Sequence, residues 1–197
     1  MKTIIQQRIS ALRESMKHFG LGAYIIPSSD PHLSEYPADC WKSRQWISGF
    51  TGSAGTVVVT ADKAGLWTDS RYFLQASKEL EGSGIELYKA GLPETPGIAA
   101  FLLRNLNENE TVGLDGQTYS VADAVELNSV LKKKKISLDV SRDLIHAIWK
   151  DRPALPGGML FELPIEYSGK PTRDKLDDIN TKLHEAGADG IVLSALD

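Results

Sequence analysis

Six short apolar runs punctuate the chain: AYIIP (23–27), TVVVT (56–60), GLWT (65–68), IELYK (85–89), TVGLD (111–115) and ISLDV (136–140). Stretches with helical spacing lie between most of them. Runs of this length that alternate with helices predict an α/β domain, a sheet covered by helices. The second and third runs are joined only by the polar turn ADKA, too short for a crossover, so that pair must be antiparallel. The expected fold is a six-stranded mixed sheet flanked by helices.

The helices carry their own signals. Ile5, Ile9, Leu12, Met16 and Phe19 recur at helical spacing, and Gly20 stands next, where a left-handed residue ends a helix. Asp69 predicts an N-cap ahead of Tyr72, Phe73, Ala76 and Leu80. Thr95 and Pro96 predict a cap and first helical residue for a helix reaching about Leu106. Ser120 with Asp123 resembles a capping box, and Lys132 to Lys135 place positive charge at the negative end of that helix. Pro31 and Pro37 keep residues 28–42 a loop, and a last short helix runs through Ile145 to Trp149.

Beyond DRPALPGG and ELPIEYSGKP, both rich in Pro and Gly, an earlier pattern returns. Leu176, Ile179, Leu183 and Gly187 repeat Ile9, Leu12, Met16 and Gly20 at one offset of 167 residues, and Ile191-Val192-Leu193 repeats Tyr24-Ile25-Ile26. Asp197 falls on Asp30 at the same offset. One helix and one strand cannot close a core. The organisation expected is therefore a domain over 1–155, a linker over 156–164, and the truncated start of a second copy over 165–197.

Composition narrows the function classes. Hydrophobic residues make up 42% and charged ones 24%, enough for an independent core. The net charge of -4 gives no reason to expect nucleic acid or an anionic membrane. No apolar stretch is long enough to span a bilayer, and the N-terminal helix has charges throughout, unlike a signal peptide. Cys40 is the single cysteine, which suits a reducing compartment and a cytoplasmic location.

Several segments invite a chemical reading. Asp30, His32, Glu35, Asp39 and Cys40 are metal-ligating types in one loop, but their spacing matches no ligand pattern, and a solvated or partner-facing loop is expected. Gly49, Gly52 and Gly55 lead into a strand and carry no lysine, so close backbone packing is expected rather than a phosphate cradle. Ser53 is not a nucleophile elbow, because Thr51 occupies the first glycine position of GxSxG. Arg71 differs in kind. An arginine in a first helical turn opposes the helix dipole, so local stability does not account for it. On the residues alone it either pairs with a nearby carboxylate or presents its fork to a carboxylate or peptide carbonyl.

AYIIPSSDPHLSEYPADC, SGFTGSAGT and LWTDSRYFLQA, in this order and spacing, resemble Xaa-Pro aminopeptidases of the large, three-domain cytosolic type. IHAIWKDRPALP resembles the end of the first domain of that family, and the terminal LSALD resembles the first strand of its second. The resemblance implies the creatinase/prolidase N-terminal fold and a parent hydrolase that removes the residue before a proline. It implies two divalent metal ions, typically manganese, held in a C-terminal domain by two Asp, one His and two Glu, none matched in this chain. Peptide substrate would be met through that missing domain, in a parent expected to be a homo-oligomer with no nucleic-acid or membrane partner. This chain alone is expected to be inactive, with no catalytic or metal-binding residue. Its first domain would shape the active-site entrance, with Arg71 at the position of a substrate-facing arginine and Ser70 where glycine is common. The alternative is a non-enzymatic peptide- or histone-binding module of the same fold.

Overall fold

A computed structural model describes residues 2–194. The chain divides into two compact units, one ending at Leu155 and the other beginning at Pro156.

The first unit is built on α1 (Lys2–His18), β1 (Ala23–Ile26), α2 (Ser43–Ser48), β2 (Thr56–Thr60), β3 (Ala64–Thr68) and α3 (Phe73–Glu79). It continues with β4 (Glu86–Lys89), α4 (Ile98–Asn105), β5 (Thr111–Leu114), α5 (Val121–Leu131), β6 (Ser137–Asp139) and α6 (Leu144–Ile148). The six strands form one sheet in the order β4-β3-β2-β1-β5-β6. The β1–β2 and β2–β3 pairs are antiparallel, and β1–β5, β3–β4 and β5–β6 are parallel. The mixed sheet expected from the short ADKA turn is thus observed.

Strands β1, β2 and β3 read as near-unbroken apolar runs because both faces of the sheet are covered there, whereas the edge strands β4 and β6 carry polar residues and are partly exposed. Tyr24, Ile26, Val57 and Val59 join the core that includes Ile5, Ile9, Leu12 and Met16 of α1. Ala23, Ile25 and Val58 point the other way, into a core with Phe101, Leu102, Leu127 and Leu131 from α4 and α5. The period-2 alternation of a strand therefore divides one AYII run between two cores.

Two helix starts differ from expectation. Asp69 does cap, accepting the Arg71 N–H, but a 3-10 turn, Ser70–Tyr72, comes first and α3 begins only at Phe73. The helix expected from Thr95-Pro96 begins two residues later, with Gly97 as N-cap. The Pro96 carbonyl instead accepts the Trp67 indole N–H at 2.8 Å, and Gly97 supplies the acceptor for Phe101. Ser120 caps α5 by accepting from the Asp123 N–H, while its own hydroxyl donates to that aspartate.

The second unit holds α7 (Ile165–Ser168) and α8 (Thr172–Glu185). Its helix end copies that of α1 bond for bond at the offset of 167 residues. Leu21 N donates to Met16 O and Gly20 N to Lys17 O; Ala188 N donates to Leu183 O and Gly187 N to His184 O. Gly20 and Gly187 lie at φ +67 and +65. This pair of bonds around a left-handed glycine is the Schellman ending. The strand expected at Ile191–Leu193 does not form: residues 191–194 are irregular and Val192 is 92% exposed. A strand needs a partner to satisfy its backbone, and the second unit offers none among the described residues. The expected match of Asp197 to Asp30, and most of LSALD, lie outside the described residues.

Candidate functional site

The three sequence segments that carried the resemblance meet at one place, around the bend at residues 49–55. Arg44, on α2 and only 4% exposed, reaches into it. Its Nε donates to the Ser28 hydroxyl at 2.8 Å, and its two terminal nitrogens donate to the Phe50 and Gly52 carbonyls. From α3, the Glu79 carboxylate accepts the Thr51 N–H at 2.8 Å and the Thr51 hydroxyl at 2.7 Å, with Gln75 donating to both Thr51 and Glu79. The peptide group between Phe50 and Thr51 is therefore held at both ends. Its carbonyl points to a cation and its N–H to an anion, so its dipole lies favourably between them. Further along, Ser28 donates to Gly55 O and Thr68 to Ala54 O, tying the bend to the first loop and to β3.

Charges reflect this arrangement. Burial pulls the Arg44 guanidinium down to about 10, with the Glu79 charge working in the opposite direction. Burial alone would raise the Glu79 carboxyl; the hydrogen bonds from Thr51 and Gln75 and the charge of Arg44 outweigh it and hold the group below its ordinary range. Gly52 has no room for a side chain, since a Cβ there would lie 2.3 Å from the Phe50 ring. Gly52 and Gly55 thus serve close packing, as the sequence suggested, whereas Gly49 ends α2 in the left-handed conformation.

Arg71 stands beside this bend. Its backbone N–H and Nε donate to Asp69 Oδ1 at 3.0 and 2.9 Å, and its terminal nitrogen to Oδ2 at 2.8 Å. The nearby carboxylate of the ion-pair reading is therefore its own cap residue, which also answers the helix-dipole objection to a cation in that turn. Both side chains stay open, at 67% and 40% exposed. The side-chain hydrogen bond to Asp69 lifts the Arg71 guanidinium further above its usual range. The Arg71 Cζ lies 5.2 Å from the Tyr72 ring centroid, and the Tyr72 hydroxyl bonds Ser53 Oγ at 2.7 Å. Arg71, Tyr72 and Ser53 thus line one continuous rim.

The loop of metal-ligating residue types does not converge. Asp30 is buried and accepts the His32 and Ser34 N–H groups, Asp39 pairs with Lys42, and Cys40 is buried. Among the described residues no three His, Cys, Asp or Glu side chains stand close enough to hold a metal. Arg44, Glu79 and Gln75 were not singled out from the sequence. An arginine just before a glycine-rich bend is a faint signal for Arg44; Glu79 lies 28 residues from Thr51 and left none.

The strand order and the doubly covered mixed sheet define an α/β domain, and comparison with known proteins gives its family. Models described as Creatinase/Prolidase N-terminal domain match residues 8–146 and, separately, residues 151–197. The chain belongs to the creatinase/prolidase N-terminal domain family. It is 40% identical to a probable Xaa-Pro aminopeptidase P of Laccaria bicolor over 97% of this chain and 30% of that protein. Its identity to aminopeptidase P2 of Arabidopsis thaliana is 42%, over 100% of this chain and 28% of that protein. Among solved structures, the X-prolyl aminopeptidase of Caenorhabditis elegans, described as a cytosolic enzyme with a di-nuclear active site, superposes with a TM-score of 0.88 at 31% identity. That match covers 98% of this chain and 33% of the other. The chain thus spans about a third or less of the length of these relatives.

Proposed function

We propose that this chain is the non-catalytic N-terminal part of a metal-dependent aminopeptidase that removes the first residue from peptides with proline in second position. In this reading residues 1–155 form its first domain, 156–164 a linker, and 165–197 the start of a second domain of the same kind. The first domain shapes the entrance to a catalytic centre carried elsewhere in the parent. Relatives named as aminopeptidases P run across 97–100% of the chain, which favours a peptidase over a non-enzymatic peptide- or histone-binding module. The two divalent ions of such a parent, typically manganese by the resemblance, do not fit the side chains described here, so no hydrolytic step is assigned to them. The same proposal makes the parent a cytoplasmic homo-oligomer that meets peptides, without nucleic-acid or membrane partners. Among the described residues, no helix is long and apolar enough to cross a membrane.

The observation that carries the reading is the exposed Arg71–Asp69 pair on the rim where the three motif segments meet. An exposed ion pair is worth little, so Arg71 can exchange Asp69 for a substrate carbonyl or carboxylate at small cost. In the full-length parent, Arg71→Ala should lower kcat/KM by about 1–3 kcal/mol, with little change in melting temperature. Unchanged turnover, or loss of fold without loss of specific activity in the surviving enzyme, would make Arg71 a structural residue only.

A further inference from the structure

Helix α5 is apolar on two sides. Leu127 and Leu131 point into the core, whereas Val121 and Val125, one turn apart, are 81% and 64% exposed. Folding of the first unit does not need an apolar outer stripe. This stripe and the edge strand β6 flank an open groove of about 320 Å³, walled by Tyr119, Val121, Ala124, Val125, Leu138 and Val140. Val140 is itself 44% exposed. The charged residues of α5 lie elsewhere: Asp123 and Glu126 line a separate hollow on the flank facing α4, with Ile98 and Ala99.

The neighbouring sheet edge is open too. β6 is the last strand of its sheet. Ser137 N–H donates to Glu110 O on the β5 side, so by the alternation of a strand the Leu138 N–H and C=O face outward. Ile136 N–H and Val140 C=O are already engaged, by Leu131 and Gly116. One residue therefore offers one donor and one acceptor. The opposite edge differs: β4 begins and ends on exposed charged residues, Glu86 and Lys89, the usual guard against edge pairing. β6 carries Asp139, but its carboxylate is turned back to Ser141 and Arg142 of its own chain.

A donor and an acceptor on one residue match the same residue of a second copy. In an antiparallel pair, two residues directly opposite can exchange both bonds. A two-fold axis normal to the sheet at Leu138 does this. It also keeps α5 and its copy on one face, antiparallel and side by side over the junction. Val125, which lines the groove with Leu138, then lies near the axis, with Val121 to either side. The same axis sets Ser137 opposite Asp139 of the second copy, so the strand pairing opposes no like charges. A stripe without charge calls for no oppositely charged partner either. We infer that the α5–β6 face is a self-contact, through which two copies of this chain join their sheets edge to edge. A patch of three valines and one strand residue falls short of the roughly 800 Å² per partner of a stable interface, so the association is weak. It stands apart from the peptidase reading, because the contact needs nothing outside this chain.

Sedimentation equilibrium of the chain from about 10 μM to about 1 mM tests this. The mass should climb with concentration from one copy towards two. Val125→Lys and Val125→Glu, at an exposed position, should each weaken association about tenfold or more, because a residue at the axis meets its own charge. An equimolar mixture of the two variants should associate again, since the opposed charges then attract. Leu74→Lys, at an exposed position on α3, should change nothing. In hydrogen exchange, the Leu138 amide should become protected as concentration rises. A chain that stays monomeric throughout overturns the inference and leaves the face to another segment or protein. A dimer indifferent to the Val125 variants overturns it as well, as does a mixture that fails to recover or a Leu138 amide whose exchange ignores concentration.

Discussion

At the scale of single residues, the site is held by charge acting through a neutral peptide. Among the described residues, Arg44 is a buried cation with no carboxylate in contact, an arrangement that normally costs several kcal/mol. Here its charge reaches Glu79 through the Phe50–Thr51 peptide group. Glu79 should therefore contribute to stability in a pH-dependent way. Its carboxyl titrates lower in the folded chain than the ordinary 4.5, so its contribution is complete above that value and is lost as pH falls through the folded one. Glu79→Gln should cost about 1–2 kcal/mol near neutral pH, as expected for hydrogen bonds to a charged group. The deficit should shrink as pH drops below about 4.5. Urea denaturation across pH checks this, and a constant deficit would show that the charge is irrelevant. Arg44 was only faintly legible in the sequence and Glu79 not at all, because the contact is tertiary. Arg71 was legible as an anomaly, a cation where a helix begins, yet the residue that answers it lies only two positions away. The sequence marks Asp69 as a cap; its second role, as the ion-pair partner, shows only in the folded geometry.

At the scale of elements, the local signals with the strongest physics survived best. Gly20 is legible as a helix stop, and it is one, with the conformation and both bonds that this ending requires. A Cβ at Gly20 meets nothing within 4 Å, so Gly20→Ala would suffer only backbone strain. It should cost about 1–2 kcal/mol in the first unit, the penalty for an L-residue held left-handed. Chemical denaturation reads that value, and a neutral result would mean that the Schellman ending can relax without loss. Thr95-Pro96 was the weaker signal and gave way, because the Trp67 indole takes the carbonyl of Pro96. The Ile191–Leu193 run shows the opposite limit. Its apolar pattern is a good strand pattern, but pairing decides whether a strand exists.

For the whole molecule, the two units differ in how they hold together. The first encloses two cores, one on each face of its sheet, whereas Leu160, Phe161 and Tyr167 of the second are largely exposed. Deleting residues 156–197 should accordingly leave the calorimetric melting temperature of the first unit within a few degrees, since a cooperative core governs it. A large drop would show that the second unit belongs to the same folding unit. The sequence by itself determined the strand count, the mixed sheet, the helix endings and the internal repeat, because all of these derive from short-range periodicity, turn length and backbone conformation. Only the tertiary structure decided that residues 28, 44, 51, 71 and 79 share one rim and that the final apolar run stays unpaired. Side chains far apart in sequence meet only when the sheet brings their elements together, and a strand forms only where another strand stands ready to receive its hydrogen bonds.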